Sequence, residues 1–238
     1  LEKLSPQQKA AVLQKNDEMA SDGLRVMAFS KIYHGKVIFL GLMGLADPPR
    51  PEAKKAVREC EKAGIKTVMI TGDHKLTACA VAKETGIMRN GDLALTGDEL
   101  DKMSDEQLAE AAEKTAVFAR VTPAHKLRII KAFKDKGNVC AMTGDGVNDA
   151  PAIKEASIGV SMGISGTDVT KQAADCILLD DNFATLVNAV EEGRTIYQNI
   201  RKFVRYLISC NIGEVLTMLG GIIMGLPMVL IPCQILLV

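Results

Sequence analysis

Short apolar runs alternate with helix-length amphipathic stretches along most of this chain, and the punctuation between them is explicit. Ser5-Pro6-Gln7-Gln8 predicts a helix start: Ser caps, Pro takes the first turn and Gln8 completes a capping box. That helix runs to about Ser21 and ends at Gly23. Leu24 to Ile32 predicts a strand, paired across His34-Gly35 with Val37 to Leu42. Ala46-Asp47-Pro48-Pro49-Arg50 is a rigid linker, because its prolines forbid helix and hold the preceding residue extended. A boundary belongs there.

After the linker the pattern becomes regular. A helix over Pro51 to Ala63, capped by Gly64, leads to a strand over Ile65 to Ile70, a loop at Thr71-Gly72-Asp73, and a helix over Lys75 to Thr85 closed by Gly86. Asn90-Gly91 turns the chain, and Ser104-Asp105-Glu106-Gln107 opens a helix to about Lys114. Ala116 to Ala119 is a strand, and Thr122 caps a helix that carries Lys126 in its first turn and stops at Gly137. The run Val139 to Met142 is a strand, Asn148 to Ala156 a helix, and Ile158 to Met162 and Cys176 to Leu179 are further strands. This alternation predicts an α/β fold: a parallel sheet covered on both faces, with ligands at its carboxyl edge.

The last part of the chain follows a different rule. A helix beginning near Asn182 continues through Arg194, Arg201, Lys202 and Arg205 into an apolar segment. Phe203 to Met224 is long enough to cross a bilayer core, which needs about 20 residues. The basic residues before it put that end on the cytoplasmic side. Gly225-Leu226-Pro227 makes a turn, and Val229 to Val238 starts a second span. Glu214 lies near mid-span, with Asn211 one helical turn earlier on the same face. An intramembrane carboxylate is costly and marks a candidate ion path, and carboxylate plus amide oxygens suit a hard cation such as Ca2+.

Composition adds little beyond this. The 238 residues allow one or two domains, and 29 Lys and Arg balance 29 Asp and Glu, so nothing in the charge suggests nucleic acid. No secretory or transit signal opens the chain, and it reads as a fragment with both ends cut. Six scattered cysteines (60, 79, 140, 176, 210 and 233) have no metal-ligand spacing. They are expected to be small core residues of a reduced, cytosolic body.

The chemistry concentrates in the string Thr143-Gly144-Asp145-Gly146-Val147-Asn148-Asp149-Ala150-Pro151. It is a strand-to-helix loop whose Asp145 and Asp149 stand four apart across a turn that the two glycines allow to fold tightly. Hard oxygen ligands at a strand's carboxyl end suit Mg2+, which binds through one or two carboxylates and a substrate phosphate. The tripeptide Thr-Gly-Asp occurs three times, at 71–73, 96–98 and 143–145. The first and third follow strands and are expected at the carboxyl edge; the copy at Thr96 reads as an N-cap and a decoy. No phosphate loop of the nucleotide-binding kinase kind is present, since the only Gly-Lys pair, Gly35-Lys36, precedes Val37. Phosphate handling therefore falls to separate pieces: the hydroxyl and amides at Thr71-Gly72, the cation of Lys126, and a metal on Asp145.

Together these residues resemble a P-type cation-transporting ATPase of the type II group, most like the calcium pumps. Asp47-Pro48-Pro49-Arg50, Met69 to Asp73, Ala119 to Lys126 and Thr143 to Ala152 match that family's segments in order, and Tyr206 to Val215 resembles its fifth transmembrane helix. The resemblance covers nearly the whole chain. It implies the end of a nucleotide-binding domain over 1–43, a haloacid-dehalogenase-like phosphorylation domain with a Rossmannoid parallel sheet over 44–185, a stalk helix over 186–202 and a transmembrane hairpin over 203–238. It implies further that Arg25, Thr71, Gly72, Asp73, Arg120, Lys126 and Asn148 contact ATP or its phosphate. Asp145 would bind Mg2+ with Asp149 beside it, and Asn211 and Glu214 match calcium ligands. Thr71, Lys126, Asp145 and Asp149 are the catalytic set.

The departures from the family matter equally. Its phosphorylated aspartate, in an Asp-Lys-Thr-Gly string, does not occur in this sequence. The chain alone is therefore expected neither to hydrolyse ATP by that route nor to transport, and its sheet is expected to lack a middle strand. The expected partners are ATP, a transported cation (Ca2+ first), a bilayer and the remainder of the same pump. A type II pump of Na+/K+ or H+ specificity and a soluble phosphatase of the same superfamily are the alternatives; Gly213, between Ile212 and Glu214, leans towards calcium.

Overall fold

The computed structural model describes residues 4–227. Of these, the residues up to 187 form one compact unit and those from 188 onward a second. The first unit opens with α1 (Pro6–Ser21), whose Ser5 side chain accepts from the Gln8 N–H in the expected capping box. β1 (Arg25–Tyr33) and β2 (Lys36–Leu45) form an antiparallel hairpin. Its two-residue turn has His34 at φ 46° and Gly35 at φ 69°, both left-handed, which matches the twist of the strands it joins.

Next come α2 (Ala53–Lys62), β3 (Met69–Ile70) and α3 (Lys75–Thr85), the last ended by Gly86 at φ 84°. β4 (Leu93–Thr96), α4 (Gly97–Leu100) and α5 (Asp105–Ala112) lead to β5 (Thr115–Ala119) and α6 (Pro123–Asp135). β6 (Ala141–Gly144), a 3-10 turn (Val147–Asp149), α7 (Ala150–Glu155), β7 (Ile158–Met162), α8 (Asp168–Ala173) and β8 (Cys176–Leu178) follow.

The strands after the hairpin are all parallel, as expected, but they form two sheets, β3-β5-β4 and β6-β7-β8. Every residue of β5 is buried. Phe118 packs with Leu108 of α5 and Ile129 of α6, while Val117 and Ala119 pack with Ala78 and Ala82 of α3, so helices cover both faces. A third cluster joins Met142 of β6, Ala152 and Ile153 of α7 and Ile130 of α6. Ile70 packs against the Phe118 cluster and the Met142 cluster, as does α6 through its adjacent Ile129 and Ile130. β3 and β6 each hydrogen-bond to a neighbour on one side only, as in a sheet without its middle strand.

Three expectations need correcting. The strand expected over Ile65 to Ile70 is reduced to Met69–Ile70, because among the described residues it pairs with β5 alone, through Val117 and Phe118. The short run before Thr96 is a genuine parallel strand, β4, and α8 has no counterpart in the expected elements. Not every cysteine is a core residue: Cys60 is buried, but Cys176 is exposed.

α9 (Phe183–Ile223) is one unbroken helix of 41 residues, about 60 Å long. Among the described residues it is the one helix long and apolar enough to cross a membrane. Its apolar side chains, including Phe203, Val215, Leu216 and Ile222, are exposed. Gly225 turns the chain at φ 67°. The second span expected over Val229 to Val238, and Cys233 with it, lie outside the described residues.

Candidate functional site

Two loops at strand carboxyl ends hold the residues singled out above, and each is built differently. In the loop after β3, Thr71 continues the strand by donating its N–H to the Phe118 carbonyl at 2.9 Å. Its hydroxyl accepts from the Asp73 N–H at 3.1 Å and donates to the Asp73 carboxylate at 3.0 Å, which closes the turn on itself. The chain leaving β5 is laced to the same loop: Arg120 N–H donates to the Asp73 carbonyl at 3.1 Å and Val121 N–H to the Thr71 carbonyl at 3.2 Å. Arg120 itself sits at φ 51°, a left-handed conformation that costs a non-glycine residue about 1 kcal/mol or more.

This arrangement brings Arg25, Gly72, Asp73 and Arg120 to one cleft of about 290 Å3, which Asn16 and His74 also line. Arg25 and Arg120 have no carboxylate within ion-pair distance among the described residues. Two unmatched guanidiniums beside the amino terminus of α3 make a cleft suited to an anion such as a phosphate chain. Sequence reasoning missed Asn16, His74 and Thr77 in this lining. His74 carried a signal, since it follows Thr-Gly-Asp and caps α3, its Nδ1 accepting from the Leu76 N–H at 3.3 Å. Asn16, a polar residue within α1, carried none.

The loop after β6 turns inward instead. Asp149 is buried, with one carboxylate oxygen paired to the Lys126 ammonium and the other accepting the Gly146 N–H at 3.3 Å. Gly144 is required here: a Cβ at that position would lie 2.6 Å from the Cβ of Asp149. The backbone carbonyl of Asp145 accepts from Thr167 N–H at 3.1 Å, while its side chain and that of Asn148 are exposed. Lys126 and Asp149 are therefore brought together, with Asp145 next to them in the same turn.

The middle Thr-Gly-Asp, at the end of β4, is an N-cap as expected. Thr96 and Glu99 form a capping box, and Lys75 pairs with Glu99 at 3.2 Å. The Thr96 N–H, then the Thr96 hydroxyl and Lys75, hold the Glu99 carboxyl below its ordinary range. In the second unit, α9 sets Asn211 and Glu214 three residues apart on one face.

A family profile described as haloacid dehalogenase-like hydrolase matches residues 5–157. The chain belongs to the haloacid dehalogenase-like hydrolase family, the class that parallel strands with an acidic loop at the carboxyl edge define. Within it, the similarity is to P-type ATPases. The chain is 56% identical over 197 residues to a calcium-transporting ATPase of Bacillus subtilis (strain 168), a match covering 83% of this chain and 22% of that protein. It is 49% identical over 247 residues to calcium-transporting ATPase 1 of Bacillus cereus (strain ATCC 10987 / NRS 248), covering 99% and 28%. It is 50% identical over 234 residues to the cation-transporting ATPase pma1 of Synechocystis sp. (strain ATCC 27184 / PCC 6803 / Kazusa), covering 92% and 26%. Among solved structures, a zinc-transporting PIB-type ATPase in its E2.Pi state matches with a TM-score of 0.64 and 30% identity, over 89% of this chain and 30% of that one. The resemblance to P-type cation-transporting ATPases is thereby shown, and the chain spans about a quarter of the length of these curated relatives.

Proposed function

We propose that this chain is part of an ATP-driven cation pump, Ca2+ being the transported ion, that works through an aspartyl-phosphate whose aspartate lies outside the chain. The observation that carries the reading is the pairing of an open, cationic cleft at Arg25 and Arg120 with an acidic turn at Asp145 and Asp149, both at strand carboxyl ends. The similarity to calcium-transporting ATPases over nearly the whole chain supports the choice of cargo.

In this reading ATP lies with its phosphates against Gly72, Arg25 and Arg120, where the backbone comes close and two guanidiniums match its charge. Thr71 and Asp73 shape the loop that receives it, and Asn148 contacts the phosphate end. Lys126, held by Asp149, presents its cation to the transferring phosphoryl group. The donor set fits magnesium: Asp145 is an exposed carboxylate, while Asp149 is already matched by Lys126 and contributes charge beside it. Magnesium takes one or two carboxylates and completes its shell with phosphate and water. When bound, the ion neutralises charge on the phosphates during transfer.

The segment before the membrane is assigned to the cytoplasm, up to about residue 202, with the span of α9 in a cell membrane and Arg194, Arg201 and Lys202 on its cytoplasmic side. Asn211 and Glu214 are assigned as cation ligands, and the continuous helix is the element through which phosphorylation reaches them. Replacing Asp145 by Ala in the complete pump is expected to abolish ATP-dependent phosphoenzyme. Normal phosphoenzyme in Asp145→Ala would remove the magnesium assignment, and absence of Ca2+ stimulation of the unsubstituted pump would remove the choice of cargo.

A further inference from the structure

The segment Arg120 to Lys126 joins the two loops, contributing Arg120 to the cleft and Lys126 to the acidic turn. Its shape is fixed from behind by residues that neither loop contains. His125 is only 8% exposed. Its Nδ1 accepts from the Thr122 N–H at 3.2 Å, so a neutral ring carries its proton on Nε2, which stands 2.8 Å from the Asp101 carboxylate. One nitrogen thus caps α6 and the other ties it to the end of α4.

Gly97 completes the arrangement. A Cβ there would lie 2.5 Å from the Arg120 carbonyl oxygen and 3.0 Å from both Cε1 and Nδ1 of the His125 ring. The Arg120 turn and the imidazole are therefore both seated on the Gly97 backbone, and Arg120 is held in its left-handed conformation between Gly97 on one side and the Asp73 carbonyl on the other. The Thr-Gly-Asp copy at 96–98, which binds no ligand in the reading above, is the floor beneath Arg120 and His125.

We propose that His125, through its bond to Asp101 and its seat on Gly97, is a positioning residue that sets where Arg120 and Lys126 stand. The role in phosphoryl transfer rests on the assignment of those two side chains to nucleotide and phosphate. Asp101 has 64% of its side chain exposed, so its bond to His125 adds little to global stability. What the bond restricts is the rotation of the ring and of the helix turn that carries Lys126 one residue on.

The test uses the full chain in detergent micelles and reads the side-chain 1H–15N signals of Lys126 Nζ and Arg120 Nε, which need no ligand. Asp101→Ala removes the acceptor at an exposed site and leaves the core intact. His125→Asn keeps an acceptor near the Nδ1 position but loses the donor to Asp101, whereas His125→Gln restores a donor near the Nε2 position. Asp101→Ala and His125→Asn are expected to shift both signals and to speed exchange of the Lys126 ammonium with water about threefold or more, the size expected for loss of one positioning hydrogen bond. His125→Gln is expected to stay near the unsubstituted chain. Unmoved signals in Asp101→Ala, or equal shifts in His125→Asn and His125→Gln, would overturn the proposal. A separate titration with Mg·ATP tests the nucleotide assignment: absence of saturable binding by the unsubstituted chain sinks that assignment and leaves the NMR result for His125 standing.

Discussion

The loops that end β3 and β6 begin with the same tripeptide, Thr-Gly-Asp, and do opposite things with it. After β3, Gly72 and Asp73 are exposed, and a Cβ added at Gly72 would meet nothing within 4 Å. After β6, the Cβ of a residue replacing Gly144 would strike Asp149, itself buried and ion-paired to Lys126. The first loop satisfies its hydroxyl and carboxylate locally and leaves its backbone open to an arriving ligand. The second has spent its space on an internal ion pair and turns Asp145, Val147 and Asn148 outward. One local sequence therefore yields an open loop at one place and a charge-holding frame at another, because the residues four positions on and across the fold differ.

The largest effect expected from this contrast is on stability. Removing Asp149 leaves the Lys126 ammonium, only 17% exposed, without its partner. Loss of one member of a buried pair costs about 3–5 kcal/mol, a large part of the roughly 5–15 kcal/mol that holds a typical domain together. Asp73→Ala removes a carboxylate that is exposed and bonded within its own turn, and its cost is expected to stay below about 1 kcal/mol. Urea denaturation of the two variants followed by far-UV circular dichroism checks this. Similar midpoints for Asp149→Ala and Asp73→Ala would erase the distinction between the loops.

The glycines sharpen it at a smaller scale. Gly144→Ala forces a backbone or side-chain shift around Asp149 and is expected to cost about 1–3 kcal/mol, the usual range for overpacking. Gly72→Ala has open space around it and is expected to change the melting temperature little. Its effect should fall on Mg·ATP affinity, where the added methyl obstructs close approach of phosphate to the backbone. A thermal scan without nucleotide and another with it separate the two results. A Gly72→Ala chain that melts early without nucleotide would show that the first loop is as tightly packed as the second.

How much of this was legible in the sequence depends on how far apart the cooperating residues lie. The caps at Ser5, Ser104 and Thr122 could be read directly, because a capping box is complete within four residues. β4 could not, since Leu93-Ala94-Leu95 is too short to declare itself and becomes a strand only by pairing with β5. The same dependence on neighbours shortens the run Ile65 to Ile70 to a two-residue strand. Asp145 and Lys126 stood out by position, one at a strand end and one in a helix's first turn. The burial of Asp149 did not, because an acid in a polar loop reads as exposed until its partner 23 residues earlier is known. The cleft is less legible still: Arg25 and Arg120 meet only after the hairpin and two strands have been placed, and Asn16 and His125 act through contacts that no local pattern encodes.

The smallest expected effect concerns acid, and it too separates the two edges. After β8, Asp181 reaches the turn that follows β7, accepting the Ile164 N–H at 2.9 Å and the Ser165 N–H at 2.7 Å, and those backbone donors pull its carboxyl down to about 2. At the end of β4, Glu99 is also lowered, chiefly by the Thr96 N–H. In both cases the folded chain prefers the charged form, so the contribution is fully present above the unfolded carboxyl range near 4 and is lost as pH falls through the folded value. For Asp181 the loss is spread between about pH 4 and pH 2, because protonation removes the acceptor that orders the turn after β7. Asp181→Asn cannot ionise and is expected to flatten the dependence of the unfolding midpoint on pH across that interval, leaving the remaining slope to Glu99 and the other lowered carboxylates. A carboxyl-carbon NMR titration reads the same group directly. If Asp181 titrated near 4, the turn after β7 would owe nothing to its charge, and the second edge would be held by the Lys126–Asp149 pair without it.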